Sequence, residues 1–131
     1  MPRSLRYEVT GLPQHVIQRG NNRQATFFAE EDYTFYRECL QNAAAKHECD
    51  VHAYVLMTNH VHLLMTPHQP GGIGKVLQSV GRRYVQYVNG QYRRTGTLWE
   101  GRYKASLIDS ADLLSLHRNE PRPRRDGEAS R

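Results

Sequence analysis

Two strand-like segments joined by two residues constrain the fold of this chain most strongly. VHAYVLM (residues 51–57) and HVHLLMT (residues 60–66) are rich in apolar residues, and Thr58-Asn59 between them is typical of a tight turn. The pattern predicts a β-hairpin. We expect this pair of strands to be central in the domain and buried.

Further elements are predicted on both sides of the hairpin. HVIQRG (residues 15–20) predicts a first strand followed by a Gly-Asn-Asn-Arg turn. The acidic residues 30–32 favour a helix N-terminus, and apolar residues at helical spacing continue this helix to about His47. A second helix over residues 73–92 follows the hairpin, then a fourth strand within residues 98–108 and a short helix capped by Ser110. The order β-α-β-β-α-β predicts an α+β, ferredoxin-like sandwich, an antiparallel sheet with helices on one face.

Length and composition suit one domain. The chain has 131 residues, of which 38% are hydrophobic and 24% charged, which argues against two domains, a membrane protein or a disordered chain. Residues 1–117 are expected to form the domain, and residues 118–131, with five arginines and two prolines, a basic disordered tail. Cys39 and Cys49 show no disulfide or zinc pattern and no signal peptide is visible, so the expected location is cytoplasmic, away from membranes.

Positive charge is concentrated in one part of the sequence. The segment from Lys75 to Lys104 holds seven basic residues against the single acidic residue Glu100, a net charge of +6. On the second predicted helix, Lys75, Arg82 and Arg93 lie opposite the apolar stripe. A polyanion is therefore expected to bind one face of this segment, and a solvated surface is the alternative. That face is expected to carry Lys75, Arg82, Arg93, Arg102 and Lys104.

Two other segments have the composition of a nucleic-acid contact. The turn from Arg19 to Arg23 combines guanidiniums and amides that suit phosphates or unstacked bases, although an ordinary surface turn would look the same. Trp99 lies near Arg102 and offers a stacking surface, with packing in the core as an equal alternative. The candidate DNA-binding residues are therefore Arg19, Asn21, Arg23, Lys75, Arg82, Arg83, Arg93, Arg94, Trp99, Arg102 and Lys104.

His60 and His62 are the candidate metal ligands. Residues i and i+2 of a strand point to the same face, so the two imidazoles would converge on a site for a divalent cation. Two imidazoles with an oxygen ligand and water suit Mg²⁺ or Mn²⁺ on a phosphodiester as well as Zn²⁺. Two histidines that are merely packed or partly exposed are the alternative, and the isolated His15 and His52 are expected to be structural.

Together these segments resemble the HUH single-tyrosine transposases, in particular the REP-associated tyrosine transposase branch related to insertion-sequence transposases. The resemblance covers about residues 10–116 and is carried by HVIQRGNNRQATFF, HAYVLMTNHVHLLMTP, SVGRRYVQYVN and RRTGTLWEGRYKASLID. His60-Val61-His62 matches the HUH motif, in which a hydrophobic residue separates two metal-binding histidines. The resemblance implies a ferredoxin-like fold and Mg²⁺- or Mn²⁺-assisted cleavage of single-stranded DNA near a hairpin, with rejoining through a phosphotyrosine.

The sequence departs from this family after His117. Family members continue with a helix resembling RYIELNPVRAG, which supplies the nucleophilic tyrosine and, four residues later, an asparagine that can complete the metal site. Residues 118–124 read RNEPRPR instead, and their prolines forbid a continuing helix. Asn119 alone echoes the motif, so the catalytic residue is unassigned, and Tyr103 is the leading candidate to substitute for the missing tyrosine.

The sequence therefore predicts a transposase-family protein that binds single-stranded or hairpin DNA and whose strand cleavage is lost or severely impaired. Whether the chain is an enzyme stays open. A hairpin-DNA-binding module that acts without chemistry is the alternative, and an unrelated ferredoxin-like RNA-binding or regulatory domain is a third hypothesis. Because related transposases often dimerise, the resemblance also leaves a homodimer open.

Overall fold

The computed structural model describes residues 9–108. Its elements in chain order are β1 (Gln14–Arg19), a 3-10 turn (Asn21–Arg23), α1 (Glu30–Lys46), β2 (Cys49–Leu56), β3 (His60–Pro67), α2 (Gly72–Tyr92) and β4 (Lys104–Leu107). The predicted order β-α-β-β-α-β is confirmed. The helix expected after Ser110 and the tail expected over residues 118–131 lie outside the described residues.

The four strands form one antiparallel sheet in the order β2-β3-β1-β4. β1 lies between β3 and β4, so Arg19 stands opposite His60 on one side and Ile17 stands opposite Lys104 on the other. With both helices packed against the sheet, this order confirms the predicted ferredoxin-like fold. The expectation that the whole hairpin is central is wrong for β2, which is an edge strand with Ala53 and Val55 exposed.

The core lies between the sheet and the two helices. Alternate residues of β3 (Val61, Leu63 and Met65) are buried at 1% exposure or less, which places them under the helices. The apolar stripe predicted for α2 is confirmed, because Ile73, Val76, Leu77, Val80, Tyr84 and Val88 are all buried. Within residues 9–108, no helix is long and apolar enough to cross a membrane. The sheet face that the helices leave uncovered is called the open face below.

A buried carboxylate joins the two helices. Asp32, in the acidic first turn of α1, is fully buried. Its side chain accepts hydrogen bonds from the N–H groups of Phe28 and Ala29 and from the hydroxyls of Tyr87 and Tyr92, at 2.7–3.0 Å. Burial, together with the bond to this carboxylate, raises the pKa of Tyr92 to about 12. The start of α1 is thereby fixed to the C-terminal half of α2, with the buried charge compensated by four donor groups.

Candidate functional site

His60 and His62 lie on the open face of β3. Val61 between them is fully buried, so strand alternation directs both imidazoles to the opposite side. The ring centroids are 5.0 Å apart and the ring planes are inclined at 76°. The structure thus brings the two histidines together on one face of an interior strand, as their spacing predicts.

Asn59 fixes the orientation and the tautomer of His60. The side-chain Nδ2 of Asn59 donates to the carbonyl of Arg23 at 3.1 Å, which leaves its Oδ1 facing His60. Because that oxygen can only accept, Nδ1 of His60 carries the proton and donates to it at 2.8 Å. The lone pair of His60 is therefore on Nε2, and this nitrogen remains available to bind a cation.

A third imidazole contacts the pair. Nε2 of His15, on the open face of β1, is 3.0 Å from Nδ1 of His62, and the two ring planes are inclined by only 3°. The sequence predicts only a structural role for His15. Its contact with His62 makes it part of the site.

All three imidazoles are shifted toward their neutral forms. Burial lowers the pKa of His15, and burial together with the charge of Arg19 lowers the pKa of His60. Burial, the neighbouring His15 and His60, and Arg19 lower the pKa of His62 to about 4. Near neutral pH these rings are therefore unprotonated, which is the form that binds metal ions.

The donor set fits a divalent cation in part. His60 and His62 offer neutral imidazole nitrogens from one strand. The hydrogen bond to Asn59 leaves the lone pair of His60 on Nε2. No group of three or more histidine, cysteine, aspartate or glutamate side chains is placed to hold an ion within residues 9–108. A cation here would take two nitrogens from these histidines and its other ligands from water or phosphate oxygens.

Several of the predicted DNA-binding residues lie around the histidines. Arg19 is exposed and stands directly opposite His60, while the exposed Lys104 stands opposite Ile17, whose other neighbour is His62. Arg23 is exposed in the 3-10 turn, and its carbonyl is bound by Asn59. Asn21 is half-buried in the same turn, and Arg102 is exposed just before β4.

Other predicted DNA-binding residues lie on the opposite side of the sheet. Lys75, Arg82, Arg83 and Arg93 are exposed on α2 or at its C-cap, and α2 packs on the face away from the histidines. The expectation that Lys75, Arg82 and Arg93 share one binding face with Arg102 and Lys104 is therefore wrong for Lys104. The sheet lies between Lys104 and α2. The exposed side chains of α2 therefore cannot share a surface with Lys104.

Two predicted DNA-binding residues have structural partners. The guanidinium of Arg94 donates to Asn89 at 2.7 Å and to Gln24 at 3.4 Å, so it connects the end of α2 to the loop after β1. Trp99 is buried, at 7% exposure, with its ring against those of Tyr36 and Tyr84. Core packing, not base stacking, is thus the role that the structure gives to Trp99.

The tyrosines of the described residues lie away from the open face. Tyr103 is half-buried, and its hydroxyl would be 3.3 Å from a Cβ placed on Gly74 of α2. The suggestion that Tyr103 replaces the family's nucleophile is wrong in this geometry, because the sheet separates its hydroxyl from the histidines. The other six belong to the core or pack against it, namely Tyr33, Tyr36, Tyr54, Tyr84, Tyr87 and Tyr92.

These observations define a ferredoxin-like domain with a His-x-His pair on its open sheet face. The chain belongs to the IS200-like transposase family, whose pattern matches residues 8–118. Among solved structures it is similar to a REP-associated tyrosine transposase bound to a REP hairpin, with a TM-score of 0.70 and 14% identity over 86% of this chain. The chain spans 65% of the length of that protein.

A second similar structure is that of a Deinococcus radiodurans R1 protein assigned as a transposase. It has a TM-score of 0.61 and 21% identity, and the similarity covers 87% of this chain and 92% of that one. No curated protein matches this chain. The two structures support the fold, and the family match supplies the membership.

Two site residues escaped the sequence analysis. His15 is 47 positions from His62, and only the register of β1 against β3 brings them together. The sequence places Asn59 in the turn between the hairpin strands, directly before the HUH motif. Its position beside a candidate ligand was the one available signal, since amides often orient metal-binding histidines.

Proposed function

We propose that this chain binds single-stranded or hairpin DNA across the open face, with His60 and His62 directing a divalent cation to a DNA phosphate. The observation that carries the proposal is the position of Arg19 on the strand next to the two histidines and of Lys104 on the strand beyond it. Membership of the IS200-like transposase family supports a DNA substrate. The similar REP-associated tyrosine transposase is bound to a REP hairpin, which favours a hairpin as the form of the DNA.

The cations near the histidines have no anionic partners among residues 9–108. Within residues 9–108, the ion pair that forms joins His68 and Asp50, and no lysine or arginine of that range takes part in an ion pair. Arg19, Arg23 and Lys104 are also exposed, so each can bind a phosphate without first breaking an ion pair inside residues 9–108. Their charges would hold the DNA backbone beside the imidazoles, where fixed strands limit movement of the site.

Each side chain at the site has a separate chemical role. A divalent cation, when bound, would polarise a phosphodiester and offset the charge on its oxygens. His60 and His62 supply neutral nitrogens, and Asn59 holds His60 in the tautomer with its lone pair on Nε2. Arg19 supplies a fixed positive charge opposite His60, which suits an anionic phosphate and disfavours protonation of the ring.

We further propose that this chain binds DNA without forming a covalent adduct. A transfer that conserves the phosphodiester energy needs a nucleophile in line with the phosphate, which the family resemblance implies is a tyrosine hydroxyl, and a displacement of about an ångström already lowers the rate strongly. Residues 104–131 contain no tyrosine. All seven tyrosines within residues 9–108 belong to the core or pack against it.

Two measurements test this function. Binding of a labelled hairpin oligonucleotide is expected to weaken in Arg19→Ala/Lys104→Ala, with the log-log salt slope smaller by about 1.4 because each phosphate contact on a single strand contributes about 0.7. Lys75→Ala/Arg82→Ala removes the same charge from the helix side and is the matched control. Equal losses in both variants would contradict a binding site on the open face.

A denaturing gel with labelled hairpin DNA and Mn²⁺ tests the absence of cleavage. No protein-DNA band is expected. A band that persists in Tyr103→Phe and disappears in Tyr7→Phe would assign the nucleophile to a residue outside the described part and overturn the proposed inactivity. A band that disappears in Tyr103→Phe would instead contradict the placement of that hydroxyl on the helix side.

A further inference from the structure

We infer that His15 is a positioning residue that fixes the tautomer of His62 and directs the lone pair of His62 Nε2 to the cation site. The inference rests on the proposed function for the cation, but the tautomer itself is a property of the metal-free chain. The observation that carries it is the 3.0 Å contact between Nε2 of His15 and Nδ1 of His62.

The sheet register builds this contact. Ile17 of β1 is the direct neighbour of His62, and His15 precedes Ile17 by two residues, so it lies on the same face one step along the strand. The two imidazole planes differ by 3°. Nearly parallel rings with nitrogens at hydrogen-bond distance allow one proton to lie between them along the line of a lone pair.

That single proton has two positions with opposite consequences. If Nε2 of His15 carries it, Nδ1 of His62 accepts, and the neutral ring of His62 must then carry its own proton on Nε2. A nitrogen with a proton cannot bind a cation. If Nδ1 of His62 carries the proton and donates to His15, the lone pair of His62 is on Nε2, as it is on His60.

The neighbouring histidine shows the same arrangement with a different acceptor. Oδ1 of Asn59 accepts from Nδ1 of His60, which leaves Nε2 of that ring unprotonated. With His15 as acceptor, both members of the pair present the same nitrogen in the same state. Asn59 in the hairpin turn and His15 on the adjacent strand then have the same role, because each accepts a hydrogen bond from Nδ1 of one histidine of the pair.

The tautomer can be measured directly in the metal-free protein. Long-range ¹H-¹⁵N correlation spectra of ¹⁵N-histidine-labelled chain near neutral pH are expected to show His62 as the Nδ1–H tautomer. His15→Gln keeps an acceptor oxygen and is expected to retain this tautomer, whereas His15→Phe keeps an aromatic ring without the acceptor and is expected to shift His62 toward Nε2–H. An Nε2–H tautomer of His62 in the wild type would overturn the inference without any variant.

Mn²⁺ titration followed by calorimetry separates this inference from the proposed function. His15→Phe is expected to weaken Mn²⁺ binding by about 10–100-fold, the usual effect of losing a group that orients a ligand, and His15→Gln by much less. His52→Phe, an equal change at an exposed imidazole bonded to Thr66, is the control.

Each outcome has a distinct meaning. If the wild type binds no Mn²⁺, the proposed cation fails while the NMR result still decides the role of His15. If His15→Phe loses Mn²⁺ with the tautomer of His62 unchanged, His15 is itself a ligand and the inference is wrong. Unchanged affinity in His15→Phe would likewise overturn it.

Discussion

Protonation of His62 is expected to destabilise the fold as the pH falls. The ring is half-buried beside two other imidazoles and Arg19, and these surroundings lower its pKa from 6.5 to about 4. In the unfolded chain the same imidazole binds a proton near pH 6.5. The unfolded state therefore holds more protons than the folded state in the interval between these two values.

The sign and the size of the effect follow from this interval. Because the pKa of His62 is lower in the folded chain, the free energy of unfolding decreases as the pH falls below 6.5. The decrease stops growing below about pH 4. One pKa unit corresponds to about 1.4 kcal/mol, so at about pH 5 the loss is at most about 2 kcal/mol, and at about pH 7.5 it is negligible. Loss of this size is a large share of the stability of an ordinary domain.

Urea unfolding of the wild type and His62→Gln at both pH values measures this loss. The free energy of unfolding of the wild type is expected to fall, relative to the variant, by up to about 2 kcal/mol between about pH 7.5 and about pH 5. His52→Gln replaces an exposed imidazole outside the cluster and is the matched control. Parallel pH dependence of wild type and His62→Gln would contradict a lowered pKa for His62, because it would show that the folded state accepts the proton freely.

Three further changes test the structure around the site. Asp32→Asn is expected to lower the free energy of unfolding by about 2–4 kcal/mol in urea, because the buried donors lose a charged acceptor, and an unchanged midpoint would contradict the network. Gly20→Ala is expected to lower the melting temperature, since a Cβ there would collide with the carbonyl of Gln24; equal melting would contradict that packing. Hairpin DNA is expected to leave the fluorescence of the buried Trp99 nearly unchanged, and strong quenching would contradict its place in the core.

The periodicity of the sequence was sufficient to predict the elements and their order. Alternation in HVHLLMT (residues 60–66) and the apolar stripe of α2 report local geometry, and a two-residue turn between strands leaves few ways to join them. The position of His60 and His62 on one face follows from the same alternation.

What the sequence did not predict depends on contacts between distant segments. The charge in residues 75–104 predicts one surface, but α2 packs on one face of the sheet and Lys104 of β4 lies on the other. The contact of His15 with His62 needs the register of β1 on β3, which no local pattern encodes. Asp32 is typical of a helix start, and its burial under two tyrosines arises only when α2 packs against α1.

The position of bound DNA decides whether the open face is the binding surface. Backbone amide spectra recorded while a hairpin oligonucleotide is added would map its contacts along the chain. The largest shifts are expected at the open face and its adjoining turn, around Arg19, Arg23, His60, His62 and Lys104. Shifts confined to the exposed side of α2, around Lys75 and Arg82, would contradict it.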